Sequence, residues 1–525
     1  PPAMARKMRV AATLLLLATL CVGVQSNGEY ETGSEVVLYA NKVGPFANPN
    51  EVYAFYSLPY CAPTEIETKR ENLGALLKGD RPTKTRYDLK FRTDVPWKSL
   101  CKVQLGDPEA AKFKQAIVDD YYFEMLLDEL PIWGYVGELE TKSVNFEREF
   151  DNSTRYYLFT HLDFSIAYND RHIIEVNVSA DPLQRVDLGQ NVRKIEFSYS
   201  VKWLETSTPL SERMSRYAQY SFLPQSFEIH WLSIINSFVL VLLLTGFLSI
   251  ILMRVLKNDF SRYARGDEED EEEEETGWKL VHGDVFRPPQ RSGLLAVYLG
   301  TGVQLLGMGV ITMCFALFGF LSPSNRGGLM TALLVLFVCM GGLAGYVSAV
   351  FYKTFKGVQW KMNTLKTAFM FPGIVFAIFF VLNLFIWGEK SSGAVPFGTM
   401  FALLVLWFGI SVPLAFAGSY LGYKREPISY PTKTNLIPRA IPEQAWYMQH
   451  VFAILVGGVL PFGAVFIELF FILSSIWLHQ YYYVFGFLML VFVILVITCA
   501  EITIVMCYFQ LCAEDYNWWW RSFLT

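Results

Sequence analysis

The stretch WLSIINSFVLVLLLTGFLSIILM, Trp231–Met253, runs without one charged side chain. Six more apolar runs follow it: Leu295–Phe318, Leu329–Phe351, Ala368–Trp387, Gly398–Leu421, Val451–Ile476 and Tyr483–Phe509. At about 1.5 Å per helical residue, runs of roughly 20 residues cross a hydrocarbon core of about 30 Å. The second half of the chain therefore reads as a polytopic helical membrane protein. Composition agrees: 53% of residues are hydrophobic, 16% aromatic and only 18% charged, against about 25% charged in soluble domains. The net charge of −5 is small and stems from one acidic block. No basic stripe points to nucleic acid.

Working outward, Arg6, Lys7 and Arg9 precede the short apolar run Val10–Val24, and small residues follow at Val24-Gln-Ser26. Residues 1–26 read as a cleaved signal peptide, with an uncleaved anchor as the alternative. Pro1-Pro2-Ala3 stand ahead of the first Met. They are expected to be translation read in from upstream. Residues 27–225 are one domain's length and read as β-rich and sandwich-like. Val36–Ala40, Arg155–Phe164, Ile173–Val178 and Lys194–Trp203 mix β-branched and aromatic residues between Asn, Asp, Gly and Pro breaks. One helix is expected over Pro108–Leu130, capped by Asp107 and stopped by Pro131. Tyr53, Phe55, Tyr56 and Tyr60 form an aromatic cluster, read as sandwich core or as a ligand surface.

Asn152-Ser-Thr and Asn177-Val-Ser are glycosylation sequons, both inside this domain. Cys21 would leave with the signal, Cys314, Cys339, Cys499 and Cys507 lie in spans, and Cys512 lies just beyond the last. Cys61 and Cys101 remain as the one pair in an oxidising compartment, so they are expected to form a disulfide; two free buried thiols are the alternative. The sequence carries no metal motif and implies no cofactor.

Charge sets the orientation. The loop after the first run holds Arg254, Lys257, Arg262, Arg265, Lys279, Arg287 and Arg291, and basic residues recur after the third and fifth runs. The intervening loops carry Arg326 and Lys390 alone. The positive-inside rule puts the basic loops in the cytosol and the N-terminal domain in the lumen. The expected layout is a first transmembrane helix at 226–254, a cytosolic acidic loop at 255–293, six further helices over 294–509 and a cytosolic segment at 510–525. The loop contains Asp267–Glu275, all acidic, read as a solvated spacer or as a recognition patch.

Thr276–Pro289 resembles the transmembrane 9 superfamily, the nonaspanins. So do Tyr56–Pro63, Asn72–Arg81, Leu130–Gly134, Ser391–Thr399, Ile441–Tyr447, Leu460–Phe471, Thr498–Ile502 and Cys512–Thr525, which spread the resemblance over nearly the whole chain. The resemblance implies a multi-pass protein of Golgi and endosome membranes. Such a protein would assist the trafficking and membrane localisation of other membrane proteins. Its implied partners are membrane lipids, transmembrane segments of cargo including glycine-rich ones, and coat or adaptor proteins. The family name implies nine spans and a cytosolic tail resembling a coatomer-binding signal. The chain shows seven runs and stops at Thr525, so the last two spans and the tail are expected to fall outside it.

Glu468 and Glu501 stand within the sixth and seventh runs. A carboxylate in a bilayer is costly and should face the bundle interior, a cavity or a partner. It reads either as a proton- or cation-sensitive site, the basis of an alternative transporter or channel function, or as a clamp between helices involving Asn383 or Gln304. Gly341-xxx-Gly345 and Gly418-xxx-Gly422 have the spacing for close helix packing, within this bundle or against cargo spans. Pro413 and Pro461 imply kinks. No Gly-x-Ser-x-Gly, His-Glu-x-x-His or intramembrane Asp pair is present, so no enzyme chemistry is expected.

Overall fold

The computed structural model describes residues 28–140, 155–181, 183–189, 194–213, 231–264, 277–318, 327–477 and 485–525. The signal region, Asn152 and the acidic block lie outside the described residues, as does the side chain of Glu468. The chain divides into two compact units. One comprises Pro1–Gln225, Phe318–Val335 and Ile374–Val405; the other comprises Ser226–Leu317, Leu336–Gly373 and Leu406–Thr525.

The N-terminal domain starts with β1 (Glu35–Val36), β2 (Leu38–Pro45) and β3 (Tyr53–Ala54). The short helix α1 (Leu73–Leu77) leads to β4 (Thr83–Lys84), β5 (Leu89–Lys90) and β6 (Val95–Gln104). After helix α2 (Asp107–Val118) come β7 (Tyr121–Leu127), β8 (Leu130–Tyr135), β9 (Gly137–Glu140), β10 (Arg155–Phe159) and β11 (His161–Asn169). The last strands are β12 (His172–Ala180), β13 (Arg185–Asp187) and β14 (Lys194–Glu205). One main sheet runs β3-β2-β7-β8, with β4 also on β2; the other runs β12-β11-β14-β6. All pairs in these sheets are antiparallel except β11 with β14. Inward residues of both sheets share one core, among them Leu38, Met125 and Leu127 from the first and Phe164, Ile166 and Tyr199 from the second. Strand alternation puts these side chains on one face of each sheet.

The helix expected over Pro108–Leu130 ends at Val118 instead. Asp120 takes a left-handed φ of 50°, which breaks the helix. Tyr121–Leu127 then buries nearly every side chain as a strand between β2 and β8. Asp128 and Glu129, at φ 48° and 66°, turn the chain in the two-residue hairpin whose central residues both need positive φ. Pro131 sits in β8, at the end of its sheet, where a missing N–H is tolerated.

Within the described residues all seven apolar runs contribute helices. They form α3 (Trp231–Ala264), α4 (Ser292–Leu317), α5 (Gly328–Thr354), α6 (Trp360–Gly388), α7 (Phe397–Leu406) with α8 (Val412–Lys424), α9 (His450–Trp477) and α10 (Phe485–Cys512); α11 (Trp518–Leu524) follows. Among the described residues six helices are long and apolar enough to cross a membrane, α7 and α8 counting together as Phe397–Lys424. The sixth run contributes a shorter apolar stretch, Val451–Phe466. The protein is a multi-pass helical membrane protein with a β-rich N-terminal domain.

A π-helical turn, Trp407–Ser411, joins α7 to α8, just ahead of the Pro413 kink read from sequence. Pro372 inside α6 was not among the expected kinks. It has no N–H, so the carbonyl of Ala368 loses its helical donor. The indole of Trp407 donates to that carbonyl at 3.0 Å. Proline is tolerated in a span when a neighbour satisfies the freed carbonyl in this way.

Candidate functional site

Glu501 lies on α10 and is only 7% exposed. Its Oε1 is hydrogen-bonded to the hydroxyl of Thr245 on α3, which also reaches the Val241 carbonyl at 2.9 Å. Its Oε2 has no partner among the described residues. Around it α3, α9 and α10 pack through Val241, Ala464, Val465, Val491 and Ile494. Ser237 on α3 donates to the carbonyl of Ala464 on α9 at 2.5 Å. The sequence reading looked to Asn383 or Gln304 as clamp partners. Gln304 instead donates to the Phe337 carbonyl at 2.8 Å, and Asn383 bonds to both backbone groups of Val395. Thr245 was missed. Its signal is a hydroxyl deep inside the apolar run of the first span.

Each of the four glycines packs against the neighbouring helical segment within the chain. A Cβ built on Gly345 would overlap the Ala415 carbonyl, and one on Gly418 would overlap the Gly342 carbonyl. On Gly341 it would stand 2.9 Å from Ser411 Oγ, and on Gly422 it would stand 3.1 Å from Ala349 Cβ. Small residues let the backbones of α5 and α8 approach this closely. Ser419 adds a hydrogen bond to the Gly345 carbonyl at 3.0 Å.

Behind the acidic block, the segment from Gly277 onward is held by three consecutive tryptophans of α11. Trp518, Trp519 and Trp520 donate their indole N–H to the carbonyls of Val285, Arg287 and Gln290 at 2.9, 3.1 and 2.7 Å. Phe286 stacks on Tyr430 at 4.7 Å between ring centroids. The structure thus joins Thr276–Pro289 to Cys512–Thr525, two stretches that sequence spacing alone left unconnected.

In the N-terminal domain Cys61 and Cys101 form a disulfide, with Cα atoms 6.0 Å apart. The aromatic cluster beside it is core: Phe55 stacks on Tyr60 at 4.7 Å, and Tyr60 packs edge-on against Phe113. Phe55, Tyr56, Tyr60 and Tyr87 line a cavity of about 20 Å³, room for roughly one water. Burial pushes the phenol of Tyr56 up to about 12, with Arg86 opposing it, and raises those of Tyr60 and Tyr87 further. Asn177 is exposed on β12, at the edge of its sheet, and its amide donates to Glu175 at 3.2 Å.

Comparison with known proteins decides the family. The Endomembrane protein 70 family model matches residues 52–525. The chain is 46% identical to transmembrane 9 superfamily member 9 of Arabidopsis thaliana over 99% of this chain and 88% of that protein. The chain belongs to the transmembrane 9 superfamily. Within the superfamily it is also 47% identical to member 10 of Arabidopsis thaliana, over 95% of this chain and 84% of that protein. To member 4 of Homo sapiens it is 42% identical, over 90% of this chain and 81% of that protein. The superfamily match spans the glycine seam, Glu501 and the tryptophan-held segment alike.

Proposed function

We propose that the protein assists the intracellular trafficking and membrane localisation of other membrane proteins, in Golgi and endosome membranes, with its N-terminal domain in the lumen. Membership in the superfamily carries this reading, since its family model is described as an endomembrane protein. The partners are lipids, transmembrane segments of cargo, glycine-rich ones included, and coat or adaptor proteins. The chain acts without catalysis. Because Gly341, Gly345, Gly418 and Gly422 are occupied in the packing of α5 on α8, cargo spans meet other faces of the bundle.

A second reading, a proton- or cation-linked transporter or channel, is favoured by Glu501, a buried intramembrane carboxylate with one oxygen unpartnered among the described residues. Affinity capture of the tagged chain from solubilised Golgi and endosome membranes, beside a proton-flux assay in proteoliposomes, separates the two. The trafficking reading expects co-purified multi-pass clients that are mislocalised when the protein is depleted, and no flux above empty vesicles. Flux abolished by Glu501→Gln, without clients, would overturn it.

A further inference from the structure

Two of the family-like stretches, Asn72–Arg81 and Ser391–Thr399, stand about 310 residues apart in sequence, by the closed-loop scale on which such contacts are costly, yet meet within the first compact unit. Their contact is made largely by backbone. Gly79 sits at φ +79°, and a Cβ on it would come 2.8 Å from the Cα of Gly393. The guanidinium of Arg81 donates to the Ala394 carbonyl at 2.5 Å. The carbonyl of Val52 accepts from both Ser391 Oγ at 2.5 Å and Ser392 N at 3.0 Å. A second point of contact lies at the start of α5. There Gly74 N donates to Thr331 Oγ1 at 3.0 Å, and Gly74 packs on the backbone of Gly327.

Each side of this contact is itself fixed. Within the domain, the Arg81 N–H is held by Asn41 Oδ1 at 2.9 Å. The Asn41 amide binds Asp80 and Glu124 at 3.0 and 3.1 Å, and Lys42 pairs with Asp80 at 3.1 Å. On the membrane side, Asn383 of α6 binds the backbone N–H of Val395 at 2.7 Å and its carbonyl at 3.3 Å. Glycine-to-glycine approaches leave no side chain to adapt, so the register is unique.

We propose that Asn72–Arg81 is a latch coupling the N-terminal domain to the ends of three helices, with Thr331 and the 391–395 turn as its seats and Asn383 as its continuation into the fourth span. A rearrangement of the domain at this strip is then transmitted to α6 through the Ala394–Val395 backbone. The trafficking reading is independent of this coupling.

Hydrogen exchange of the full chain in lipid nanodiscs tests it. Arg81→Ala removes the hydrogen bond to the Ala394 carbonyl, and Thr331→Val removes the one from Gly74 N together with the hydroxyl's own bond to the Gly327 carbonyl. The loss of each bond across the contact is expected to speed exchange about fivefold. The latch requires that speeding at 391–395 and around Asn383 for Arg81→Ala, with β11 and β14 unchanged. Unchanged exchange at 391–395 overturns the coupling. A uniform rise over the whole domain overturns it too, since that is plain loss of stability. Val52→Cys with Gly393→Cys gives a second readout, because a Cβ on Gly393 would lie 3.5 Å from Val52 Cγ2, close enough for a disulfide. Oxidation should join the two cysteines and restore slow exchange at 391–395 in the Arg81→Ala background. Two freely alkylated cysteines would show that the 391–395 turn is not seated on the N-terminal domain at Val52, and would overturn the coupling.

Discussion

A carboxylate inside a bilayer needs a partner, and among the described residues Glu501 finds one in a hydroxyl from the first span. Interhelical hydrogen bonds of this kind contribute about 0.6 kcal/mol on average and up to about 1.7. Thr245→Val is therefore expected to lower unfolding stability in detergent by about 1 kcal/mol. Combining it with Glu501→Gln should cost less than the sum of the two single changes. Additive costs would show that the two side chains act separately. The tyrosines of the N-terminal domain give a second residue-scale expectation. Burial raises the folded-state value of Tyr56 from 10.0 to about 12. The stability contributed by its neutral phenol is thus complete below about pH 10 and lost as pH rises from there through about 12. Tyr60 and Tyr87 are raised in the same direction by burial. Alkaline titration should show tyrosinate appearing together with loss of the domain's circular dichroism. The tyrosinate signal that Tyr56→Phe removes should be the late one; if that signal instead forms near pH 10 in a domain that keeps its fold, the buried cluster is refuted.

Between elements, the seam of α5 on α8 is set by glycines, while some glycines elsewhere in the bundle stand in open space. A Cβ on Gly418 would overlap the Gly342 carbonyl, whereas Gly302 and Gly309 on α4 have nothing within 4 Å. Overpacking of a tight contact costs about 1–3 kcal/mol or more. Gly418→Val should lower thermal stability sharply, while Gly302→Val should leave it nearly unchanged. Equal effects would mean that the spacing reports helix propensity and not close approach. The spacing Gly-xxx-Gly was readable in the sequence; which helix it met was not, because any small-residue face fits several partners. The segment after Val118 shows the converse. Its apolar residues suit a helix or a buried strand equally, and the pairing of Tyr121–Leu127 with both β2 and β8 settled the matter.

For the whole molecule, orientation is the expectation most open to test. Asn177 is exposed on an edge strand, so a lumenal domain should carry a glycan there. Glycosidase should shift the mass of the expressed protein, and Asn152→Gln with Asn177→Gln should abolish the shift. A protein without glycan, with the acidic loop accessible only from the lumen, would invert the topology. The multi-pass helical class and the β-rich N-terminal domain were legible in the sequence, as were the candidate cysteine pair and the carboxylates. These follow from local quantities: the length of an apolar run, the period of a strand, the cost of a charge in lipid. Which surfaces meet was decided by tertiary structure alone. Thr245 finds Glu501, Trp407 finds the carbonyl freed by Pro372, the tryptophans of α11 find the 285–290 backbone, and Gly79 finds Gly393. Each of these contacts closes a long loop, and its energy depends on shape and on unsatisfied backbone groups that exist only once both elements have formed.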